Sequence, residues 1–373
     1  MRKGLFALAA VGLLATSVAA CGSSKDSSSG GSSGGSSVGK VGVILPDTQS
    51  SARWETADAK YLKQAFDAAG VQADIQNAQN DKTNFQTIAD GMISSGVKVL
   101  MIVNLDSGTG KAVLDKAKAA GIATIDYDRL TLNGGADYYV SFDNVKVGEL
   151  QGQGLVDCLK AKNLTKPVVA ELNGSQTDNN ATLFKQGYDS VLKPLYDSGE
   201  LVKGPDQWVD QWDNAKAGTI FEQMLTENKN IKGVLAANDG LGNAAISILK
   251  KNKLNGQVPV TGQDATTQGL QNILVGDQCM TVYKAIKKEA DAASELAIAI
   301  AKGQKPTSAT GKVTDPESKK DVPSVLLTPQ AVDLEHLAAA YGWEYRRVSS
   351  RGELDPALTP SPGQVLIEVP LQR

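Results

Sequence analysis

The chain has 373 residues, a length that suggests two domains rather than one or four. Hydrophobic residues at 41% and charged residues at 21% can build a substantial core, and a net charge of −3 gives no basic field for nucleic acid. One histidine, His336, removes most His-based triads and metal sites, and three cysteines without C-x-x-C spacing are too few for a disulfide scaffold; no metal or cofactor is expected.

Met1-Arg2-Lys3 is a cationic start, and residues 4–16 are an apolar run too short to span a bilayer. Small residues then lead to Val18-Ala19-Ala20-Cys21, an export signal whose end resembles the bacterial lipobox. Lipidation is therefore expected at Cys21, with residues 1–20 as signal peptide. Residues 21–38 are a Ser/Gly linker with almost nothing to bury, a coil reaching about 20–25 Å. Such a tether holds a folded body near a membrane without fixing its orientation.

The body alternates strand and helix. KVGVIL (40–45) reads as a strand, and a helix follows over 56–70, stopped by Gly70. Next come VQADIQNA, a helix over 84–96, the strand VKVLMIV, a helix over 110–121, the strand IATIDY and the short strand DYYVSF. The alternation restarts with a helix over 146–161, the strand PVVAEL, a helix over 181–199 and a strand candidate near Leu201–Val202. Then follow a helix over 215–228, the strand GVLAAN, a helix over 241–252, PVTGQ, a helix over 267–274, MTVYK and a helix over 285–302. Strands alternating with helices of ten or more residues mean parallel α/β sheets covered on both faces. Two such runs predict two doubly wound lobes.

Ligands of these sheets bind at the carboxyl ends of the strands. The residues there are Arg53, Trp54, Asp128, Arg129, Asp143, Asn144, Asp178, Asn179, Asn180, Trp212, Asp213, Asn214, Asn238, Asp239, Gln263, Asp264 and Lys284. Carboxylate, amide and guanidinium groups can each meet adjacent hydroxyls with paired hydrogen bonds. Indole faces suit the C–H face of a sugar ring. Helix capping by Asn and Asp is the competing explanation, with even weight for any one residue alone.

The segments SARWETADA (51–59), DYDRL (126–130), YVSFDNVKVGELQ (139–151), GSQTDNNATLFKQGY (174–188), DQWVDQW (206–212), AANDG (236–240), VTGQDA (260–265), MTVYK (280–284) and DVPSVLLTP (321–329) carry a resemblance. Residues 40–330 resemble the periplasmic-type sugar-binding proteins of bacterial ABC importers, nearest the D-xylose-binding branch. The resemblance implies two lobes, three crossings and closure around one monosaccharide. It implies an N-terminal lobe of 39–143 plus about 266–305, and a C-terminal lobe of 144–265 plus about 306–331. It also implies ligand-binding roles for Arg53, Trp54, Asp128, Arg129, Asn144, Asn180, Trp212, Asn238, Asp264 and Lys284. Asp128 with Arg129, and Asp264 with Lys284, could offset each other as buried charges. Cys158 and Cys279 could pair in an oxidising space, but the family layout sets them on different lobes and speaks against a bond.

Residues 332–373 depart from this pattern. DLEHLAAAYGW reads as an amphipathic helix with Leu334, Leu337, Ala338 and Tyr341 on one side, GELDPAL as a short helix and QVLIEVPL as a strand. This order resembles the C-terminal end of thiamine-diphosphate-dependent enzymes such as the menaquinone-pathway synthase. It lacks the cofactor-binding segment and reads as a fusion or frame-shift scar. DSGTGK (106–111) lacks the spacing of a phosphate loop.

The expectation is a non-enzymatic, monomeric lipoprotein on the outer face of the cell membrane. It would capture a monosaccharide, D-xylose first, and pass it to an ABC permease. The alternative is a sensor presenting sugar to a receptor or kinase. A transcription regulator on the same fold conflicts with the export signal, and an enzyme is suggested only by the tail.

Overall fold

In this computed structural model the described residues are 38–340, 344–348, 350–359, 361 and 363–368. The expected signal peptide, Cys21 and nearly all of the Ser/Gly linker lie outside them, as do Tyr341 and Trp343.

The first half folds as β1 (Val41–Leu45), α1 (Ala59–Ala69), β2 (Ala73–Asn77), α2 (Lys82–Ser94), β3 (Val99–Ile102), α3 (Ser107–Ala119), β4 (Ala123–Tyr127) and β5 (Tyr138–Phe142). Every residue of β1 is buried, as a strand covered on both faces must be. Its side chains alternate between two cores. Val41, Val43 and Leu45 join Leu62 and Phe66 of α1, whereas Ile44 joins Phe85 and Met92 of α2 and Val113 of α3.

The second half contains α4 (Asn144–Ala161), β6 (Val168–Asn173), α5 (Asn179–Ser198), β7 (Val202–Trp208), α6 (Asn214–Glu227), β8 (Ile231–Ala236), α7 (Asp239–Lys251), α8 (Thr267–Leu274), β9 (Thr281–Tyr283) and α9 (Ile286–Ala301). Then come β10 (Gly311–Thr314), β11 (Asp321–Leu327) and β12 (Gln330–Val332). One sheet has seven strands in the order β10-β11-β5-β4-β3-β1-β2, parallel except for β10. The other is a parallel sheet in the order β7-β6-β8. Helices α4 and α5 cross closely over it. A Cβ on Gly148 would strike the Phe184 carbonyl, so only glycine allows this approach.

The expected doubly wound α/β architecture is present, but the late segments divide between the sheets differently. Residues 266–284 were expected with the first lobe. Instead α8 packs on α7, and Met280 and Val282 join the core of the second sheet. The stretch 306–327 was expected with the second lobe, yet β10 and β11 complete the first sheet, where β11 pairs with β5. The chain crosses after β5, between β9 and α9, and between β11 and β12, which returns to pair with β9. Hydrogen bonding explains this. PVTGQ forms only a bridge from Val260 to Val234, and β9 bonds onto it through Val282 N to Gly262 O (3.2 Å).

The same placement overturns the expectation for the cysteines. β9 lies against α4 in one core, and Cys158 and Cys279 form a disulfide with Cα atoms 6.3 Å apart. The strand near Leu201 runs on to Trp208, although Gly204 and Pro205 hide its pattern. The tail forms α10 (Leu334–Ala340), β13 (Glu344–Arg347), α11 (Arg351–Ala357) and β14 (Val365–Glu368), with β13 parallel to β14. The strand at 344–347 has no apolar alternation to announce it.

Candidate ligand-binding cleft

A cleft lies between the two sheets. Its walls are Ser50, Ser51, Arg53, Trp54, Asp128, Arg129, Asp178, Asn180, Phe184, Trp212, Asn238, Gln263, Asp264 and Lys284. Nine of the ten residues carried over by resemblance are there. Asn144 is the exception. Its Nδ2 donates to Asn180 Oδ1 (2.9 Å) and to Ser141 Oγ (3.2 Å), so it orients Asn180 from behind. Ser50, Ser51 and Phe184 were not singled out from the sequence. Ser50 and Ser51 come early in the loop after β1, and Phe184 falls one turn inside α5, where its apolar character matches core.

Each side chain is aimed by the strand end that carries it. Arg53 follows β1 at a wide helical turn, Trp54–Asp58, that runs into α1. Its Nε and Nη2 grip Asp58 at 2.9 and 2.7 Å, Nη2 also reaches Glu289 at 2.6 Å, and Nη1 donates to Asp128 Oδ2 at 2.9 Å. The guanidinium lies over the Trp54 ring, 4.4 Å from its centroid, a cation–π arrangement.

Asp128 has φ 62°, a left-handed backbone that a non-glycine residue adopts at a cost. The turn makes its carbonyl a hub for Ser141 Oγ (2.8 Å), Tyr139 Oη (3.2 Å) and Asn180 Nδ2 (3.0 Å). Burial opposes the Asp128 carboxylate, but Lys284, Arg53 and Arg129 outweigh it and hold its pKa below the usual carboxylate value. Trp212 and Asp264 are also left-handed, with φ 55° and 99°. Three cleft residues thus sit in backbone that ordinary packing avoids, a common mark of functional sites.

The opposite wall is built on α5, α6 and α7. Trp212 donates its indole N–H to Asp178 Oδ2 (3.1 Å) and meets the Phe184 ring edge-on. It lies flat over Gly174, where any Cβ would collide with the indole. Arg129 Nε stands 3.0 Å from the same Asp178 oxygen. Arg129 therefore pairs with Asp178, not with Asp128 as the sequence suggested, and Asp128 pairs with Arg53 instead. Burial raises the Asp178 pKa above the ordinary value despite Arg129. The expected Lys284–Asp264 pair is present at 3.5 Å, with Asp128 3.8 Å from the same ammonium.

The capping explanation holds in part. Asp143 and Asp213 cap α4 and α6, and neither lines the cavity. Asp178 and Asn238 do both. Asp178 Oδ1 caps α5 while its Oδ2 faces Arg129 and Trp212. Asn238 Oδ1 caps α7 while its Nδ2 reaches across to the Ser50 carbonyl (3.3 Å).

Two cleft acceptors lack a hydrogen bond: Gln263 Oε1 has no partner, and Asp264 Oδ1 has only the ionic approach of Lys284 at 3.5 Å. Buried polar atoms are seldom left unpaired, so the walls present hydrogen-bonding capacity that a polar ligand would take up.

A periplasmic binding protein domain model matches residues 41–305. The chain belongs to the periplasmic binding protein family. It is 38% identical over 299 residues to the D-xylose-binding periplasmic protein of Escherichia coli K12, covering 80% of this chain and 88% of that protein. It is 39% identical over 310 residues to the multiple sugar-binding periplasmic receptor ChvE of Rhizobium radiobacter, covering 79% and 87%. A carbohydrate transporter solute binding protein from Chloroflexus aurantiacus, in complex with D-glucose, superposes with a TM-score of 0.72 at 30% identity, covering 80% of this chain and 94% of that one.

Proposed function

We propose that this chain is an extracytoplasmic sugar-binding protein, anchored through lipid on Cys21, that captures a monosaccharide by lobe closure and delivers it to an ABC permease. The observation that carries the reading is the cleft itself: it is lined by two tryptophans, acids, amides and cations, with Gln263 Oε1 buried and without a hydrogen-bond partner. Such walls match a small polyhydroxylated ligand, whose ring faces take indole and whose hydroxyls both donate and accept. The relatives support a sugar, since they are named for D-xylose or for multiple sugars.

D-Xylose is the first candidate. Only closure lets both walls touch the ligand, so sugar favours the closed form. The sensor reading keeps a specific support: one relative is named a receptor and is as similar as the xylose binders. The same cleft serves either role.

The test is calorimetric titration of the full chain with D-xylose, D-ribose, D-glucose, L-arabinose and D-galactose. Selective xylose binding supports the xylose branch, and comparable affinity for several sugars moves the reading to a multiple-sugar protein. Binding of none of the five overturns it.

A further inference from the structure

A guanidinium offers five N–H groups in one plane. In Arg53 four are occupied: the Nε hydrogen and one Nη2 hydrogen by Asp58, the other Nη2 hydrogen by Glu289, and one Nη1 hydrogen by Asp128. Asp58 and Glu289 are fully buried and do not line the cavity. Asp58 is itself held by Tyr127, whose hydroxyl donates to Oδ1 at 2.6 Å.

We propose that Asp58 and Glu289 are positioning residues of the cleft: they lock Arg53 so that, with Asp128 on the other Nη1 hydrogen, a single one is left for one ligand oxygen. Arg53 then cannot fork onto two hydroxyls, the geometry expected of a free guanidinium. It reads one oxygen in one direction, and its pose is set before the ligand arrives. The proposal rests on the reading of the cleft as a sugar site.

Glu289 also gives the cluster a proton. Its Oε1 is buried without a partner, while Oε2 takes Arg53. The charged groups around it are Arg53 and Asp58 from the turn before α1, Asp128 after β4 and Lys284 before α9. Tyr127 and Tyr139, on β4 and β5, also feel its charge. Burial pushes Glu289 up to about 8, with Arg53 and Lys284 pulling the other way. At neutral pH Glu289 is therefore mostly a neutral acceptor for Arg53, the form that glutamine reproduces.

The experiment is calorimetric titration of the full-length wild type, E289Q, E289A and D58N with the five sugars at pH 7, with thermal unfolding of each. The amide in E289Q keeps an acceptor for Arg53 and cannot ionise. E289Q is expected within about threefold of wild type at pH 7. E289A, which releases one Nη2 hydrogen and leaves Arg53 room to swing about Asp58, is expected at least about tenfold weaker at pH 7. Wild-type affinity within about threefold in E289A, or a loss in E289Q as large as that in E289A, overturns the positioning role. If E289A is unfolded at the assay temperature, D58N, which loosens the other edge of Arg53, decides by the same tenfold loss. A wild type that binds no sugar sinks the functional reading instead, before any variant is compared.

Discussion

Asp178 joins the two walls of the cleft: its Oδ2 lies 3.0 Å from Arg129 Nε and 3.1 Å from Trp212 Nε1. Arg129 follows β4 of the seven-stranded sheet, and Trp212 packs in the core of the other. One carboxylate oxygen therefore ties a cation of one sheet to an aromatic face of the other. Asp178→Asn keeps the cap on α5 and the shape but removes the charge. Charge-assisted hydrogen bonds contribute about 1.5–3 kcal/mol, so sugar affinity should fall about 10- to 100-fold. Calorimetry reads the loss, and an affinity within twofold of wild type would remove Asp178 from the mechanism.

Gly174 leaves the space in which the Trp212 ring lies. Gly174→Val pushes the indole off from outside the cavity wall, touching no cleft side chain other than Trp212 in the contacts nearest its Cβ. Sugar affinity should drop at least about tenfold, as large as truncating a packed aromatic contact. The fold should persist by far-UV circular dichroism, since Gly174 follows β6 in a loop. Unchanged binding would mean that Trp212 does not stack on the ligand.

Asp239 ties α7, α8 and β9 together. Its Oδ1 accepts from Gln278 and Thr281, both at 2.8 Å, and its Oδ2 accepts from the Thr266 N–H at 2.7 Å. Burial outweighs these donors and raises its pKa to about 6. The folded chain thus keeps a proton that the unfolded chain loses near pH 4. This contribution is full below about pH 4 and is lost as pH rises to about 6, on the order of 3 kcal/mol. Asp126, raised to about 7 by burial, acts in the same direction over a wider window. Asp128, held low, acts oppositely and loses its stabilisation in acid. Melting curves from pH 4 to 7 should show a shallower decline for Asp239→Asn than for wild type. Parallel curves would contradict the assignment.

The disulfide between Cys158 and Cys279 closes a loop of 121 residues. Chain entropy sets its stabilisation at about 5 kcal/mol or less. Reduction, or Cys158→Ser with Cys279→Ser, should lower the melting temperature by several degrees and leave sugar affinity within about threefold, since neither cysteine lines the cleft. A melting temperature unchanged by reductant would show that the bond adds nothing.

The β-branched runs made most strands legible, and the rule that ligands gather at strand ends found eleven of the cleft residues. Periodicity could not find Phe184, because an apolar residue one turn into a helix reads as core whether or not a ligand touches it. Ser50 and Ser51 were hidden in a loop whose shape is set by Asp47, which accepts from the Ser50 N–H at 2.6 Å. The division of 266–327 between the sheets was misread because hydrogen bonds linking β9 to 262–264 leave no sequence pattern. Asn144 was placed in the cleft because it follows a strand, yet its amide is spent on Asn180 and Ser141.

The left-handed backbone at Asp128, Trp212 and Asp264 has a consequence for how this protein can be improved. Each non-glycine residue in that region costs about 1 kcal/mol or more. Glycine at 128, 212 and 264 would relieve the strain and erase two acids and an indole from the cleft. Thermal robustness and grip on the ligand therefore compete at the same three positions, and a search that rewards only heat resistance would blunt the cleft first.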